Sequence, residues 1–262
     1  MKKHHFTLPY NHQEKQVRVM LPKTYKQSNQ SYPVLYMHDG KNLFHKRESY
    51  ANSTWGVRKA LREKEIILVA IDNSEDRIQE YIPFRRPYLD NIENYGDQYM
   101  QWLVYELKPF IDNSYRTLSK RENTYIAGSS LGGLISAYAI SKYRAVFSIA
   151  GIFSLAVVDY WQELKEIMNR YPLADDSKVF IQVGTHEVYD YEKKKLDLNA
   201  SQVYLNQTLQ YYQELLRLGL PYENIYLNIE IDAKHNEKAW KEAFPKFVQL
   251  LTTSDLTNEP NL

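Results

Sequence analysis

The segment from Thr124 to Gly133, TYIAGSSLGG, is the part of this chain that most constrains its fold. An apolar strand pattern ends there, and an apolar-periodic helix pattern begins at Leu131 with no linker between them. The chain must therefore turn sharply, and Gly128 and Gly132 permit the turn because side chains at these positions would collide with neighbouring backbone. The pattern is G-x-S-x-G, and it places Ser130 in a strained conformation at the start of a helix.

Elsewhere, short apolar runs alternate with longer amphipathic ones, which is typical of repeated strand–helix units. Continuous apolar runs predict strands that are buried on both faces of a sheet. Strands are predicted at 16–21, 33–37, 66–71, 124–127, 145–149, 179–183 and 225–231. Helices are predicted at 131–143, 160–169, 198–218 and 237–251, with a further helical face from Met100 to Ile111. We expect a three-layer α/β fold with one mainly parallel sheet, a single domain over residues 1–251 and a disordered tail over 252–262.

Charge and composition narrow the classes of function. Lys plus Arg is 33 and Asp plus Glu is 32, and the net charge of +1 removes the electrostatic basis for binding nucleic acid or an anionic membrane. Cysteine is absent, which excludes disulfides, thiolate metal sites and a cysteine nucleophile. The longest weakly polar run, 145–158, is shorter than the ~20 residues of a membrane-spanning helix. We expect a cytoplasmic protein, since no apolar stretch follows the basic residues 1–6 as it would in a secretory signal.

Ser130 is a candidate nucleophile, and a serine hydroxyl needs a general base at neutral pH. In strand-to-helix turns of this kind the chain order is serine, acid, histidine, and only His186 and His235 follow Ser130. His235 comes directly after the last predicted strand, in a loop that should return to the carboxyl edge of the sheet. The acid should follow the preceding strand, where Glu187 is the first choice and Asp190 the second.

Two backbone amides are candidates for an oxyanion hole beside Ser130. The first is the amide of Leu131, at the N-terminus of the predicted helix. The second is the amide of Lys41, which follows the predicted strand 33–37. Gly40 allows the chain to turn there, so that the Lys41 amide can face the serine.

The segment from Asn73 to Tyr95 has no clean period and contains two prolines. A loop of this length in a compact domain is usually functional or disordered, and this one emerges from a buried strand at the edge where ligands of α/β proteins bind. We expect it to form one wall of a cleft. Arg77 and Arg85 are candidates to bind an anionic group, and Tyr81 is a candidate surface for an aryl or sugar group. The segment also contains Arg86 and Tyr88.

Five stretches carry a resemblance to a known family: MHDGKNLF at 37–44, DRIQEYIPF at 76–84, ELKPFIDNSYRT at 106–117, AGSSLGG at 127–133 and GTHE at 184–187. With these stretches the sequence resembles the putative-esterase, or esterase D-like, branch of the α/β-hydrolases, which includes enterochelin and feruloyl esterases. The resemblance implies an α/β-hydrolase fold and a serine hydrolase with Ser130 as nucleophile, His235 as base and Glu187 as acid. The chain departs from the family at 150–153, AGIF, where relatives often carry a serine-rich stretch.

These observations predict a carboxylic-ester hydrolase that forms an acyl-enzyme. The expected substrate is a small-molecule, acyl-sugar, aryl or siderophore-like ester. An acyltransferase on the same scaffold and a non-catalytic binding module are the alternatives, and the intact set of Ser130, His235 and acid argues against the binding module. No HExxH, P-loop or GxGxxG pattern occurs, so we expect no metal and no cofactor. The sequence leaves the oligomeric state open.

Overall fold

A computed structural model describes residues 3–11, 13–50, 52–85 and 93–252 of the chain. The strands are β1 Lys3–Tyr10, β2 Gln13–Met20, β3 Val34–Met37, β4 Ile67–Ile71, β5 Thr124–Ser129, β6 Ile149–Phe153, β7 Lys178–His186, β8 Tyr189–Asp190, β9 Lys195–Leu196 and β10 Ile225–Lys234. Eight of them form one sheet in the order β1-β2-β4-β3-β5-β6-β7-β10. β2 pairs antiparallel with β1 and β4, and the pairs from β4 through to β10 are parallel. The sheet is therefore mainly parallel, as the sequence predicts.

Helices cover both faces of this sheet. They are α1 Lys41–Phe44, α2 Val57–Ala60, α3 Arg77–Tyr81, α4 Gly96–Trp102, α5 Lys108–Ser114, α6 Leu131–Lys142, α7 Trp161–Arg170, α8 Leu198–Arg217 and α9 Glu237–Leu250. Buried residues of α4 to α8 pack on one face of the sheet, and those of α1, α2 and α9 pack on the other. The result is the expected three-layer α/β arrangement with a hydrophobic core on each side of the sheet.

β6 begins later than the sequence predicts, and β1, β8 and β9 were not predicted. The strand predicted at 145–149 is β6, which runs from Ile149 to Phe153. The amides of Val146 and Phe147 donate to the carbonyl of Tyr143, so the first part of this apolar run is a turn that follows α6. β1 was not predicted, and it completes an antiparallel hairpin with β2.

The carboxyl ends of the central strands bring the chemically interesting residues to one edge. Parallel pairing places the ends of β3, β5, β6, β7 and β10 side by side. Asp39, Ser130, Ser154, Glu187 and His235 lie at or just beyond those ends. Ligands of open α/β sheets bind at this edge.

The segment from Asn73 to Tyr95 contains helix α3. Residues 86–92, and with them Arg86 and Tyr88, lie outside the described residues, as does 253–262, most of the predicted tail. Within the described ranges, no helix combines the length and the apolar composition that crossing a membrane requires.

Candidate active site

Ser130 occupies the sharp turn between β5 and α6. Its φ of 58° and ψ of −123° are a conformation that non-glycine residues rarely adopt. The two flanking glycines lie in close contact in this turn. A Cβ added to Gly128 would lie only 2.5 Å from the carbonyl oxygen of Gly132, so a larger residue does not fit there. The Ser130 amide donates to the carbonyl of Phe153 at 2.9 Å, which ties the turn to the end of β6. The serine side chain is thereby held, half-buried, at the N-terminus of α6.

His235 and Glu187 form a direct pair at the neighbouring strand ends. The distance from His235 Nδ1 to Glu187 Oε2 is 2.7 Å, and the Glu187 side chain has no exposed surface. Asn236 caps the N-terminus of α9 by accepting hydrogen bonds from Lys238 and Ala239, which fixes the backbone directly after the histidine.

The other candidate acid and histidine make different contacts. Asp190 accepts a hydrogen bond from the amide of Lys193 at 2.9 Å and pairs with the Lys193 ammonium at 3.0 Å. These contacts lower the pKa of Asp190, the backbone hydrogen bond most. His186 lies 3.5 Å from Asp232, whose side chain is exposed. Of the carboxylates that the sequence left open, Glu187 is the one that contacts His235.

The carboxylate of Glu187 contacts three groups, which belong to Gly184, Ser154 and His235. Its Oε1 accepts hydrogen bonds from the amide of Gly184 at 2.6 Å and from the hydroxyl of Ser154 at 2.8 Å. Trp240 on α9 donates from Nε1 to the same Ser154 hydroxyl at 2.9 Å. The other carboxylate oxygen of Glu187, Oε2, faces His235. Sequence analysis did not identify Ser154 or Trp240; the positive φ of Ser154, 46°, marks it as a special position only once the backbone is known.

Tyr204 of α8 completes this side of the site and was also missed. Its ring meets the His235 ring edge-on, with centroids 5.5 Å apart. Its hydroxyl donates to the carbonyl of Ser154 at 3.2 Å. Burial, and after it the negative charge of Glu187, raises the pKa of Tyr204 far above that of a free tyrosine. The phenol is therefore protonated at neutral pH.

The loop after β3 approaches Ser130 from the opposite side. Asp39 has a positive φ of 54°, and a Cβ on Gly132 would lie 3.3 Å from its carboxylate. The amide of Gly40 donates to the carbonyl of Ile71 at 2.8 Å, which anchors the loop to β4. Lys41 is the first residue of α1, as Leu131 is of α6. The amides at the start of a helix lack an acceptor within it, so both remain available to an external oxygen.

The described part of the predicted wall lies beside this loop, with contacts that the sequence does not indicate. Arg77 donates to Asp39 twice, from Nε to Oδ1 at 2.6 Å and from Nη2 to Oδ2 at 2.8 Å. Tyr81 is 0% exposed, and its hydroxyl accepts a hydrogen bond from the Asp39 amide at 3.2 Å. A fully buried ring cannot line a cleft, so the expectation that Tyr81 contacts a substrate is corrected. Tyr81 instead supports the backbone of the loop at Asp39. Arg85 is exposed and directly precedes the residues outside the description.

His38 lies under the same loop and is almost completely buried. Its Nδ1 is 2.8 Å from the hydroxyl of Tyr99, and its Nε2 has no hydrogen-bond partner among the described residues. Burial lowers the pKa of His38 to about 3, although the negative charge of the neighbouring Asp39 acts to raise it. His38 is therefore neutral when the protein is folded at neutral pH. In the ranges that the structure describes, no three His, Asp or Glu side chains are grouped as metal ligands would be.

Comparison with known proteins places the chain in a family. Over residues 10–251 its sequence matches the family described as "Putative esterase". It is 28% identical over 230 residues to the uncharacterized protein YbbA of Bacillus subtilis, which covers 86% of this chain and 87% of YbbA.

Solved structures of similar fold include an IroE-like serine hydrolase from Shewanella oneidensis and the siderophore hydrolase EstA from Aspergillus nidulans. Each has a TM-score of 0.72 and 16% sequence identity over 95% of this chain, and the matches cover 80% and 94% of those chains. The fold is that of the α/β-hydrolases. The chain belongs to the putative esterase family, and it is an esterase.

Proposed function

We propose that this esterase is a serine hydrolase that forms an acyl-enzyme on Ser130, with His235 as general base and Glu187 as the acid of the triad. The observation that carries the proposal is the 2.7 Å contact between His235 Nδ1 and Glu187 Oε2, at the sheet edge where Ser130 begins α6. A carboxylate bound to Nδ1 leaves Nε2 of the imidazole as the nitrogen that can take a proton from a serine hydroxyl.

The proposed reaction has two stages. In acylation, Ser130 Oγ attacks the ester carbonyl and its proton passes to His235 Nε2, which then protonates the departing alcohol. In deacylation, water attacks the acyl carbon and His235 takes a proton from this water. The proton is then returned to Ser130 Oγ as the carboxylic acid leaves. Glu187 orients the ring and stabilises the imidazolium formed in each step.

Two backbone amides support the charged intermediates. The negative oxygen of each tetrahedral intermediate would lie near the amides of Leu131 and Lys41, which begin α6 and α1. Asp39 holds the Lys41 loop through its double contact with Arg77. We therefore assign Arg77 and Tyr81 to the support of this loop, and keep exposed Arg85 as the candidate for contact with an anionic substrate group.

For the substrate we propose a small-molecule ester with a sugar, aryl or siderophore-like part. The support is the family resemblance together with the printed description of the neighbour EstA as a siderophore hydrolase. A panel of p-nitrophenyl, feruloyl, acetyl-sugar and catecholate-siderophore esters separates these classes by their relative kcat/KM.

The assignment of the nucleophile is tested by Ser130→Ala on the same panel. We expect kcat to fall at least ~10³-fold on every substrate, because the covalent step is removed. Ser141→Ala is the matched control: Ser141 lies on the same helix, is buried, and its hydroxyl has no hydrogen-bond partner within the described residues. Near-wild-type hydrolysis by Ser130→Ala would refute the assignment.

A further inference from the structure

A groove of about 790 Å³ opens between the β1–β2 hairpin and the helix that begins with α4. Its lining contains four aromatic side chains, three amide side chains and two glutamates. None of the residues assigned above to the active site lines it. The groove is therefore a separate feature, and the ester chemistry gives it no use.

Contacts between the hairpin and the helix form the floor of the groove. Trp102 donates from Nε1 to the carbonyl of Pro9 at 2.8 Å. The ring of Trp102 packs against the ring of Tyr10, with centroids 5.1 Å apart, and both residues are almost completely buried. Packing within the protein thus fixes this aromatic surface before any ligand binds.

One face of the helix forms a wall of the groove. The groove residues of this helix are spaced three, one and three positions apart, so they share a face: Gln98, Gln101, Trp102 and Tyr105. Tyr105 is 70% exposed and lies in the π-helical turn Leu103–Leu107 that follows α4. Turns of this kind are frequent at functional sites. The exposed ring, with the exposed amides of Gln98 and Gln101 on the same face, presents a surface to a ligand and not to the core.

The polar groups of the lining indicate the class of ligand. An amide both donates and accepts, and Gln101, which donates from Nε2 to Asp97 at 2.9 Å, keeps its oxygen as an acceptor. Glu93 and Glu106 add acceptors, and none of the described residues that line the groove is Lys or Arg, which disfavours an anionic ligand. A quaternary ammonium ion would leave the amides without a partner. A neutral sugar has apolar ring faces for the aromatic side chains and hydroxyls for the amides and carboxylates.

The groove lies at the same edge of the sheet as Ser130. β2 is antiparallel to β4, and Val17 pairs with Ile71 at the end of β4, so the start of β2 at Gln13 extends beyond the carboxyl end of β4. In the sheet, β3, β4 and β2 lie between β5 and β1. At the usual spacing of neighbouring strands, this end of the hairpin is about 15–20 Å from Ser130.

We propose that this groove binds a neutral carbohydrate and holds the sugar part of the ester substrate at the edge of the sheet where Ser130 lies. The second half of the proposal rests on the proposed function of Ser130. Because a single sugar ring does not span the separation, the substrate class is an ester of an oligosaccharide. The groove binds the glycan and takes no part in breaking the ester bond.

Binding is tested by calorimetric titration of the wild-type protein with neutral tetrasaccharides of xylose, glucose and N-acetylglucosamine. We expect saturable binding of at least one of them, and a Kd that rises about tenfold in Tyr105→Ala, the order of magnitude for truncating an aromatic contact. Tyr222→Ala is the matched control, because Tyr222 is 72% exposed and lies outside the groove. It should bind as wild type does.

Two results would overturn the carbohydrate site. One is the absence of saturable binding of any of these sugars up to ~10 mM, or equal affinity of wild type and Tyr105→Ala. The other is saturable binding of tetramethylammonium in place of a sugar, weakened by Tyr105→Ala, which would assign the groove to a cation.

The role in substrate binding is tested with a mono-acetylated form of the tetrasaccharide that binds. Its kcat/KM, divided by that of p-nitrophenyl acetate, should fall about tenfold in Tyr105→Ala and not in Tyr222→Ala. An unchanged ratio together with weakened sugar binding would overturn this role. Hydrolysis of both esters by Ser130→Ala would overturn the nucleophile and leave the sugar binding intact, so the two failures are distinguishable.

Discussion

The hydroxyl of Ser154 donates a 2.8 Å hydrogen bond to Glu187 Oε1, while Oε2 of the same carboxylate lies 2.7 Å from His235. Ser154 follows β6, Glu187 follows β7, and His235 follows β10, so three strand ends fix one carboxylate. Trp240 adds a fourth element by donating to the Ser154 hydroxyl from α9. The orientation of the histidine is therefore determined by the sheet and not by a single loop.

Ser154→Ala should reduce both stability and activity. It leaves buried Trp240 Nε1 and Glu187 Oε1 each without one hydrogen bond, and we expect the free energy of unfolding to fall by about 1–3 kcal/mol. We expect kcat to fall about tenfold, since Glu187 keeps its other contacts. Urea unfolding and steady-state kinetics measure the two effects. Ser148→Ala is the control, because the buried Ser148 hydroxyl has no hydrogen-bond partner within the described ranges; equal effects of the two variants would contradict the role of Ser154.

Glu187→Gln and Asp190→Asn distinguish the two carboxylates that follow β7. We expect Glu187→Gln to lower kcat about 10²–10⁴-fold with the fold intact, because an amide no longer stabilises the imidazolium. Asp190→Asn should change kcat less than about twofold, since Asp190 contacts Lys193 and not His235. Kinetics on p-nitrophenyl acetate, with circular dichroism as the check on folding, measures both. The reverse order of effects would assign the acid to Asp190.

The pair of Arg77 and Asp39 should act on all substrates alike. Asp39 is buried and loses its partner in Arg77→Ala, so we expect a fall in the free energy of unfolding of about 2–3 kcal/mol, less than for a fully buried pair because Arg77 is partly exposed. kcat/KM should drop on neutral and anionic esters together, as the Lys41 loop loosens. A selective loss on anionic esters only would instead make Arg77 a substrate ligand.

Exposed Arg85 offers the contrasting substitution. Arg85→Ala should leave the free energy of unfolding within about 0.5 kcal/mol of wild type. It should change the ratio of kcat/KM between anionic and neutral esters by a few-fold to a hundredfold, or about 1–3 kcal/mol. An equal change on both classes of ester would exclude Arg85 from substrate selection.

Buried His38 predicts a loss of stability in acid. Its pKa is about 3 in the folded protein, against 6.5 for the ordinary side chain. Below pH 6.5 the unfolded chain binds a proton that the folded protein does not, so stability falls as the pH drops, by about 1.4 kcal/mol per pH unit until about pH 3. Between pH 7.5 and 5, urea unfolding of His38→Gln should therefore show a loss that is about 2 kcal/mol smaller than that of wild type. Equal losses in the two proteins would mean that His38 does not determine how stability depends on pH between pH 7.5 and 5.

Local patterns were sufficient to predict the strand–turn–helix around Ser130 and the strands β3, β4 and β7. They also selected His235 and Glu187, because both follow predicted strands whose carboxyl ends meet at one edge. The apolar run 145–158 was ambiguous, since hydrophobicity alone does not separate the turn at Val146 from the strand that begins at Ile149.

Long-range partners could not be predicted in this way. Trp240 and Ser154 are 86 positions apart, and Tyr204 and Ser154 are 50 apart. Nothing in the period of α8 or α9 distinguishes these aromatic side chains from others that pack in the core. The role of Tyr81 was predicted wrongly for a related reason. Its segment lacks a hydrophobic period, and only the fold shows that its hydroxyl accepts a hydrogen bond from the Asp39 amide.

The most direct test of the covalent mechanism is the mass of the protein after reaction with a fluorophosphonate, which traps an activated serine. We predict one adduct per chain, located by peptide mass spectrometry on Ser130, and no adduct in Ser130→Ala. Glu187→Gln should be labelled more slowly than wild type, since its histidine is a weaker base. An adduct on another residue, or full hydrolytic activity in protein whose Ser130 is labelled, would contradict the assignment of Ser130 as the nucleophile.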